Sequence, residues 1–330
     1  MKKIISLVII ACMMLTVAVV GYAAEAEYTL GMGVSLSTAS SKEGNAQVDA
    51  TVAAVVLDAD GKIVSCRLDV AQSKMDVTDG LVDTEKEFKT KMELGEDYGM
   101  APASAIGAEW DAQAKALEEF VVGLTGEEVA ALETVEKNNH NVAVDEELYA
   151  GCTMDITSFQ EAIAKACADE WAVSFTADEF TLGLAAITDA SGSTEATDDE
   201  DGVVKMYGEY AAVALDADGK ILAALNDATQ PNITIDVFGD IVETAFNGTK
   251  RELGEDYNMV KFGNAIAEWD AQSDAFSKYV VGMTADEVAA LETVEKNDHN
   301  VTVDEELYAS CTMDITGMMA VIAAAAGYAR

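Results

Sequence analysis

The sequence predicts an α+β protein of two homologous domains, each a small antiparallel sheet packed with helices. Three observations predict it. The first is duplication. LeuAspAlaAspGlyLys opens at Leu57 and again at Leu215, and GluLeuGlyGluAspTyr at Glu93 and again at Glu252. LeuGluThrValGluLys recurs at Leu132 and Leu291, and ValAspGluGluLeuTyrAla at Val144 and Val303. The offset is 158 at the first block and 159 at the later ones. That period is domain-sized, well beyond the roughly 20–50 residues of a solenoid repeat. The second observation is a tight-turn signal between β-branched runs in each copy. The third is an amphipathic helical stripe carrying a tryptophan in each copy.

The elements follow in order. Tyr28 to Ser41 is rich in Gly, Ser and Thr, and its Thr29-Leu30-Gly31 recurs as Thr181-Leu182-Gly183, so each domain starts with a strand here. Val52 to Leu57 and Ile63 to Val70 read as strands joined at Asp60-Gly61, a strong hairpin signal. Ala211 to Leu215, Asp218-Gly219 and Ile221 to Leu225 repeat that hairpin. AspAlaAspGly also resembles the start of a calcium loop, but the third acid and closing Glu of an EF-hand are missing. Ile106, Trp110, Ala114, Leu117 and Val121 fall at spacings of 3 and 4, one face of a helix. Ile266, Trp269, Phe276 and Val280 mark the same helix in the second copy. Both tryptophans are expected in the core. Gly123 and Gly282 suit helix stops, and Thr125 with Glu128 and Thr284 with Glu287 form capping boxes for a second short helix. A last helix follows CysThrMetAspIleThr at 152–157 and 311–316, capped by Asp155 or Thr157 and by Asp314 or Thr316. Ser191 to Gly202 is an acidic insertion of the second copy and reads as a solvated loop.

Residues 1–24 read as a signal peptide. Lys2 and Lys3 precede an apolar run from Ile4 to Val20, and Ala23-Ala24 suit a cleavage site. The alternative is lipidation at Cys12, which lies inside the apolar run rather than at its end. The two repeats then span 25–170 and 178–330, joined near Asp169 to Asp178, and each is expected to unfold cooperatively alone. No later segment is apolar enough to span a membrane, so no membrane span is expected after cleavage. The chain is expected to be secreted or in the cell envelope, extracytoplasmic. Cleavage removes two lysines and no acid from a formal charge of −40, leaving −42. Such a chain repels nucleic acid and anionic lipid. With 50% hydrophobic residues it is nonetheless globular in composition. Cys66 maps to Ala224 and Cys167 has no counterpart, so the cysteines form no disulfide framework.

Standard catalytic signatures are missing, and no catalytic or metal residues are assigned. His140 and His299, one per copy, suit a turn better than a metal site. The order of hairpin, GluLeuGlyGluAspTyr segment, tryptophan helix and Thr-containing turn resembles something known. It is similar to the FMN-binding-domain-like repeats of secreted and membrane-anchored bacterial proteins, notably of anaerobic Firmicutes. In flavinylated members the turn reads Ser-Gly-Ala-Thr, and its Thr carries FMN in a phosphoester made by a flavin transferase. The matching residues are Ala150-Gly151-Cys152-Thr153 and Ala309-Ser310-Cys311-Thr312. The resemblance therefore implies Thr153, with Thr312 second, as the cofactor-bearing residue, Gly151 as its small neighbour, and Tyr98 and Tyr257 as the aromatics nearest a flavin. The small residues of the acceptor turn are largely replaced in both copies. The chain thus reads first as a non-catalytic binding or structural module of the cell envelope. The alternative is an extracytoplasmic flavoprotein with covalent FMN for electron transfer, whose partners would be a flavin transferase or a redox protein.

Overall fold

The computed structural model describes residues 26–263, 265–297 and 299–330. The leader, its cleavage site and Cys12 lie outside the described residues. The first copy runs β1 (Ala26–Ser37), β2 (Asn45–Leu57), β3 (Ile63–Asp76), α1 (Lys91–Leu94), α2 (Trp110–Phe120), α3 (Gly126–Ala130), β4 (Thr134–Lys137), β5 (His140–Ala143), α4 (Glu146–Gly151) and α5 (Thr157–Cys167). A connecting strand β6 (Val173–Ala177) leads to β7 (Thr181–Asp189), β8 (Gly202–Lys205), β9 (Tyr207–Leu215), β10 (Ile221–Thr229), β11 (Asn232–Ile235) and β12 (Ile241–Ala245). Then come α6 (Lys250–Leu253), α7 (Met259–Gly263), α8 (Trp269–Tyr279), α9 (Ala285–Ala289), β13 (Thr293–Lys296), β14 (His299–Thr302), α10 (Glu305–Tyr308) and α11 (Thr316–Gly327).

The protein is mixed α+β with small antiparallel sheets. One sheet has the order β3-β2-β1-β6, a second β10-β9-β7 and a third β12-β11-β8. The predicted hairpins close as the turn residues dictate. Asp58 accepts from the backbone N–H groups of Asp60 and Lys62, Asp216 does the same for Asp218 and Lys220, and Gly61 and Gly219 take positive φ. Thr125 and Thr284 make the capping boxes expected of them. Two further boxes, Thr90 with Glu93 and Thr249 with Glu252, start α1 and α6.

Each helical layer sits on one face of a sheet. Trp110, Leu117, Val121, Ile156 and Ile163 meet Val55, Leu68 and Val70 on the first sheet, and Trp269, Phe276, Ile315 and Ile322 meet Val213 on the second. The tryptophans are buried in these cores, as expected. The stripe is shorter than the spacing suggested: α2 begins at Trp110, and Ile106 and Ile266 lie exposed in the preceding turns.

The other faces of the two sheets pack on each other. Leu30, Met32, Val34, Val52, Ala54 and Val56 of the first sheet share one buried cluster with Leu182, Leu184, Ala212, Ala214 and Leu225 of the second. The layers are therefore helices, sheet, sheet, helices. This explains why β2 is apolar on both sides: alternate residues feed two different cores. The segment between the copies is itself structured. β6 pairs antiparallel with β1, Ala26 opposite Ala177, and seats Phe175 in the shared core. Polar ties cross the same boundary: Lys165 to Glu252 at 3.0 Å, Tyr328 Oη donating to Glu93 at 3.0 Å, and Arg330 donating to the buried Glu118 at 2.8 Å.

The acidic insertion is less detached than a solvated loop. Ala190 and Ser193 are buried, Thr194 bridges to Val203, and Ala196 N–H donates to Gly80 of the first copy. Most of its residues, at 191–192, 194–195 and 197–201, are nonetheless exposed. The long strands β2 and β3 also have broken counterparts. Met206 separates β8 from β9, and Gln230-Pro231 separates β10 from β11, where proline supplies no ladder N–H.

The repeated Thr-Leu-Gly has a packing reason. A Cβ on Gly31 would stand 2.1 Å from the carbonyl oxygen of Ala166, one on Gly33 2.2 Å from that of Ala162, and one on Gly183 1.9 Å from that of Ala325. The last helix of each copy thus rests its backbone directly on the first strand. Gly183→Ala should cost about 1–3 kcal/mol through overpacking, more than the few tenths gained by restricting the unfolded chain. Urea unfolding of the full chain checks this; a midpoint at or above that of the parent would refute the contact.

Candidate functional site

A cleft of about 610 Å³ opens in the first copy between the end of the sheet, α2 and the turn before α5. Asp49, Thr51 and Gln72 line its sheet side. Lys91, Tyr98 and Trp110 form a second wall, Lys137, His140 and Tyr149 a third, and Thr153, Asp155 and Ser158 the floor near α5. Two of the five residues that the family resemblance singled out, Thr153 and Tyr98, are brought together here.

The walls are aromatic and cationic. Lys91 Nζ stands 4.9 Å from the Tyr98 ring centre and 5.7 Å from that of Trp110. Lys137 Nζ lies 3.8 Å over Tyr149. Among the described residues no carboxylate comes within ion-pair distance of either lysine. Each ammonium faces ring π-density rather than an acid, in a chain where acids outnumber bases threefold.

Thr153 is not a helix cap. Its backbone N–H and its hydroxyl both donate to Oε1 of Gln113, at 2.8 and 3.2 Å. The start of α5 belongs to Asp155, one of the two residues expected there, which accepts from Thr157 N–H at 3.0 Å and from Asn141 N–H at 2.8 Å. Partial burial opposes ionisation, but the Thr157 hydroxyl together with these two N–H groups holds the Asp155 carboxyl below its ordinary range, so an anion already sits at that helix end. The second copy repeats the arrangement: Thr312 donates to Gln272 at 2.8 and 3.3 Å, and Asp314 serves α11. Asp155 and Asp314 therefore take the helix starts that the sequence assigned to them or to Thr157 and Thr316, and Thr153 and Thr312 lie four residues before α5 and α11.

Gly151 does not line the cleft. It ends α4, and a Cβ there would lie 2.8 Å from Cβ of Ala116, so its smallness serves helix contact. Cys152 and Cys311 are wholly buried free thiols, and burial raises both. His140 is exposed as the first residue of β5, just after the turn from β4, and lines the cleft. Among the described residues no group of three His, Cys, Asp or Glu side chains gathers as metal ligands would.

Sequence reasoning missed Gln113 and Gln272. Both are fully buried, and each also donates to a backbone carbonyl, Ala108 or Ala267. A signal was available: GluTrpAspAlaGln occurs in both copies, and a polar residue retained on the buried side of a helix implies a partner to satisfy. The lysines Lys91 and Lys137 were missed because nothing local tells a cleft lysine from a solvated one.

Tyr257 lies in the second copy's equivalent region, 4.7 Å from Nζ of Lys250. There the surroundings differ. Lys250 is buried among Tyr207, Tyr257 and Trp269, donates to Tyr207 Oη at 2.9 Å, and is pulled down to about 8 by burial. Comparison with protein-family models, with curated proteins and with solved structures returns no match to this chain.

Proposed function

We propose that this chain is an extracytoplasmic, non-catalytic binding protein of the cell envelope, and that its first copy holds a small ligand in the Trp110–Lys91 cleft. One observation carries the reading. A cleft within the usual size of ligand pockets is walled by aromatic rings and by two lysines that, among the described residues, make no ion pair. Such walls favour a ligand with a flat apolar part and a negative group. The FMN-binding-like family is the proposed kinship, on the repeated motifs alone.

A second reading has its own support. Thr153 lines this same cleft, so an FMN esterified there would have Tyr98 and Trp110 beside it. The flavin would supply electron-transfer chemistry, and a flavin transferase and a redox partner would be required. It stands second because the Thr153 hydroxyl is already engaged by Gln113 and because Asp155 places a carboxylate on the neighbouring helix start.

Intact-mass and native mass spectrometry of protein from its own host separate these readings. Unmodified polypeptide with a small molecule retained under native conditions supports the binding protein. A covalent gain of one FMN, lost in Thr153→Ala, supports the flavoprotein and overturns the first reading. A chain that retains nothing and binds nothing in a ligand screen overturns both.

A further inference from the structure

The second copy shows what fills this cleft when a ligand does not. Residues of the two copies correspond one to one around the site. Lys91, Tyr98 and Trp110 match Lys250, Tyr257 and Trp269, at an offset of 159. On the second strand the offset is 158, so Asp49 matches Tyr207 and Thr51 matches Glu209. At the start of the last helix Ser158 matches Gly317. The first-copy member of each pair lines the open cleft.

The three differences act together. Tyr207 brings a ring to the lysine, its centre 4.6 Å from Nζ and its hydroxyl oxygen 2.9 Å from it. Glu209 brings a carboxylate over the last helix, so close that a Cβ on Gly317 would stand 1.9 Å from its Oε2. Glycine at 317 is what admits that carboxylate. In the first copy the corresponding positions carry Thr51 donating to Ser158 at 3.2 Å, two hydroxyls in place of the carboxylate and the glycine. Lys250 is buried under its plug, whereas Lys91 keeps part of its surface open to the cleft.

Resting on the binding reading above, we infer that the second copy is a self-occupied site, and that the first takes a small aromatic acid reproducing its plug. The ring of that ligand takes the place of Tyr207 beside Lys91, Tyr98 and Trp110. A hydroxyl or other oxygen on the ring accepts from Lys91. Its carboxylate takes the place of Glu209, within reach of the Thr51 and Ser158 hydroxyls. Stacking and cation–π contact supply the apolar part of recognition, and charge-assisted hydrogen bonds the polar part. The chain then has one ligand site, not two, despite two copies of the fold.

The experiment is calorimetric titration of the mature full chain with 4-hydroxyphenylacetate, which carries both a phenol and a carboxylate. One site per chain is expected. Asp49→Tyr/Thr51→Glu/Ser158→Gly moves the plug into the first copy and should weaken binding at least about tenfold, as loss of one good anchoring contact would. Lys91→Gln, a single change on a partly exposed side chain, should weaken it similarly without disturbing urea unfolding. Tyr207→Asp/Glu209→Thr/Gly317→Ser should raise the stoichiometry from one to two. Unchanged binding in the plugged and Lys91→Gln chains would overturn the assignment to this cleft. A folded second-copy variant that gains no site would overturn the self-occupied reading. If 4-hydroxyphenylacetate does not bind while another class of molecule is retained from the host, the ligand class is wrong and the binding function stands.

Discussion

Residues 26–178 produced without the second copy should not yield a soluble, cooperatively folding monomer. The first sheet has two apolar faces, and only one is covered from within its own copy. Leu30, Met32, Val34, Val52, Ala54 and Val56 are almost wholly buried, against the second sheet. Removing that sheet exposes a flat, contiguous apolar surface of the kind that drives self-association. Burial of each large aliphatic side chain is worth about 1.5–3 kcal/mol, so this face alone rivals the net stability of an ordinary domain. Light scattering should find the fragment aggregated or self-associated. Mixing it with residues 179–330 during refolding should recover a one-to-one complex. A monodisperse fragment with a sharp urea transition would refute the shared core and restore the simpler expectation that each repeat stands alone.

The protein should be more stable at mildly acidic than at mildly alkaline pH. Asp69 and Asp227 occupy equivalent positions, are buried, and are each pushed up to about 6, chiefly by desolvation. Each accepts backbone N–H groups at the start of α1 or α6, Met92 in the first copy and Arg251 in the second, and these bonds limit the shift without reversing it. Glu209 is pushed up to about 7 by desolvation. For an acid whose folded value lies above its unfolded value, the native state binds more protons between the two. Stability then falls as pH rises from about 4 through about 7, by on the order of 1–3 kcal/mol for each fully buried aspartate. Self-repulsion of a strongly acidic chain acts in the same direction. Asp155 and Asp314 act oppositely: their lowered values give stability that disappears as pH falls below the usual carboxylate range. A maximum between about pH 4 and 6 results, with the melting temperature several degrees lower at pH 8. Asp69→Asn/Asp227→Asn should flatten the fall between pH 5 and 8. A melting temperature that is level or rises over that interval would contradict the assignment.

Much of the fold was legible where the cause was local. Asp60-Gly61 needs only its own turn, and Thr125 with Glu128 only its own helix start. The tryptophan helix announced itself by spacing, although turn residues claimed its first predicted turn at Ile106. What depended on distant partners was not legible. Val173 to Ala177 carries no feature that distinguishes a linker from a strand, since its hydrogen bonds go to β1 about 150 residues earlier. The sheet-on-sheet core did leave a trace: Val52 to Leu57 is apolar at every position, more than a half-solvated strand requires. At the site, the Thr turns were found by resemblance, but their holder Gln113 was not. The contrast between Asp49 and Tyr207 was in plain view in the sequence, yet it acquires meaning only once Lys91 and Lys250 are seen across from them.

The way the sheets meet has a consequence for how such a chain can change. β2 meets its own counterpart β9, β3 meets β7, and β1 meets β10, the counterpart of β3. Exchanging the copies leaves that set of contacts unaltered, so a pseudo-twofold axis passes between β2 and β9. One surface is therefore complementary to itself, the property that closes an isologous pair. Two separate identical subunits joined this way would have to keep two identical pockets. Tethering them end to end removes that constraint: one half can keep its pocket open while the other fills its own and becomes a permanent scaffold.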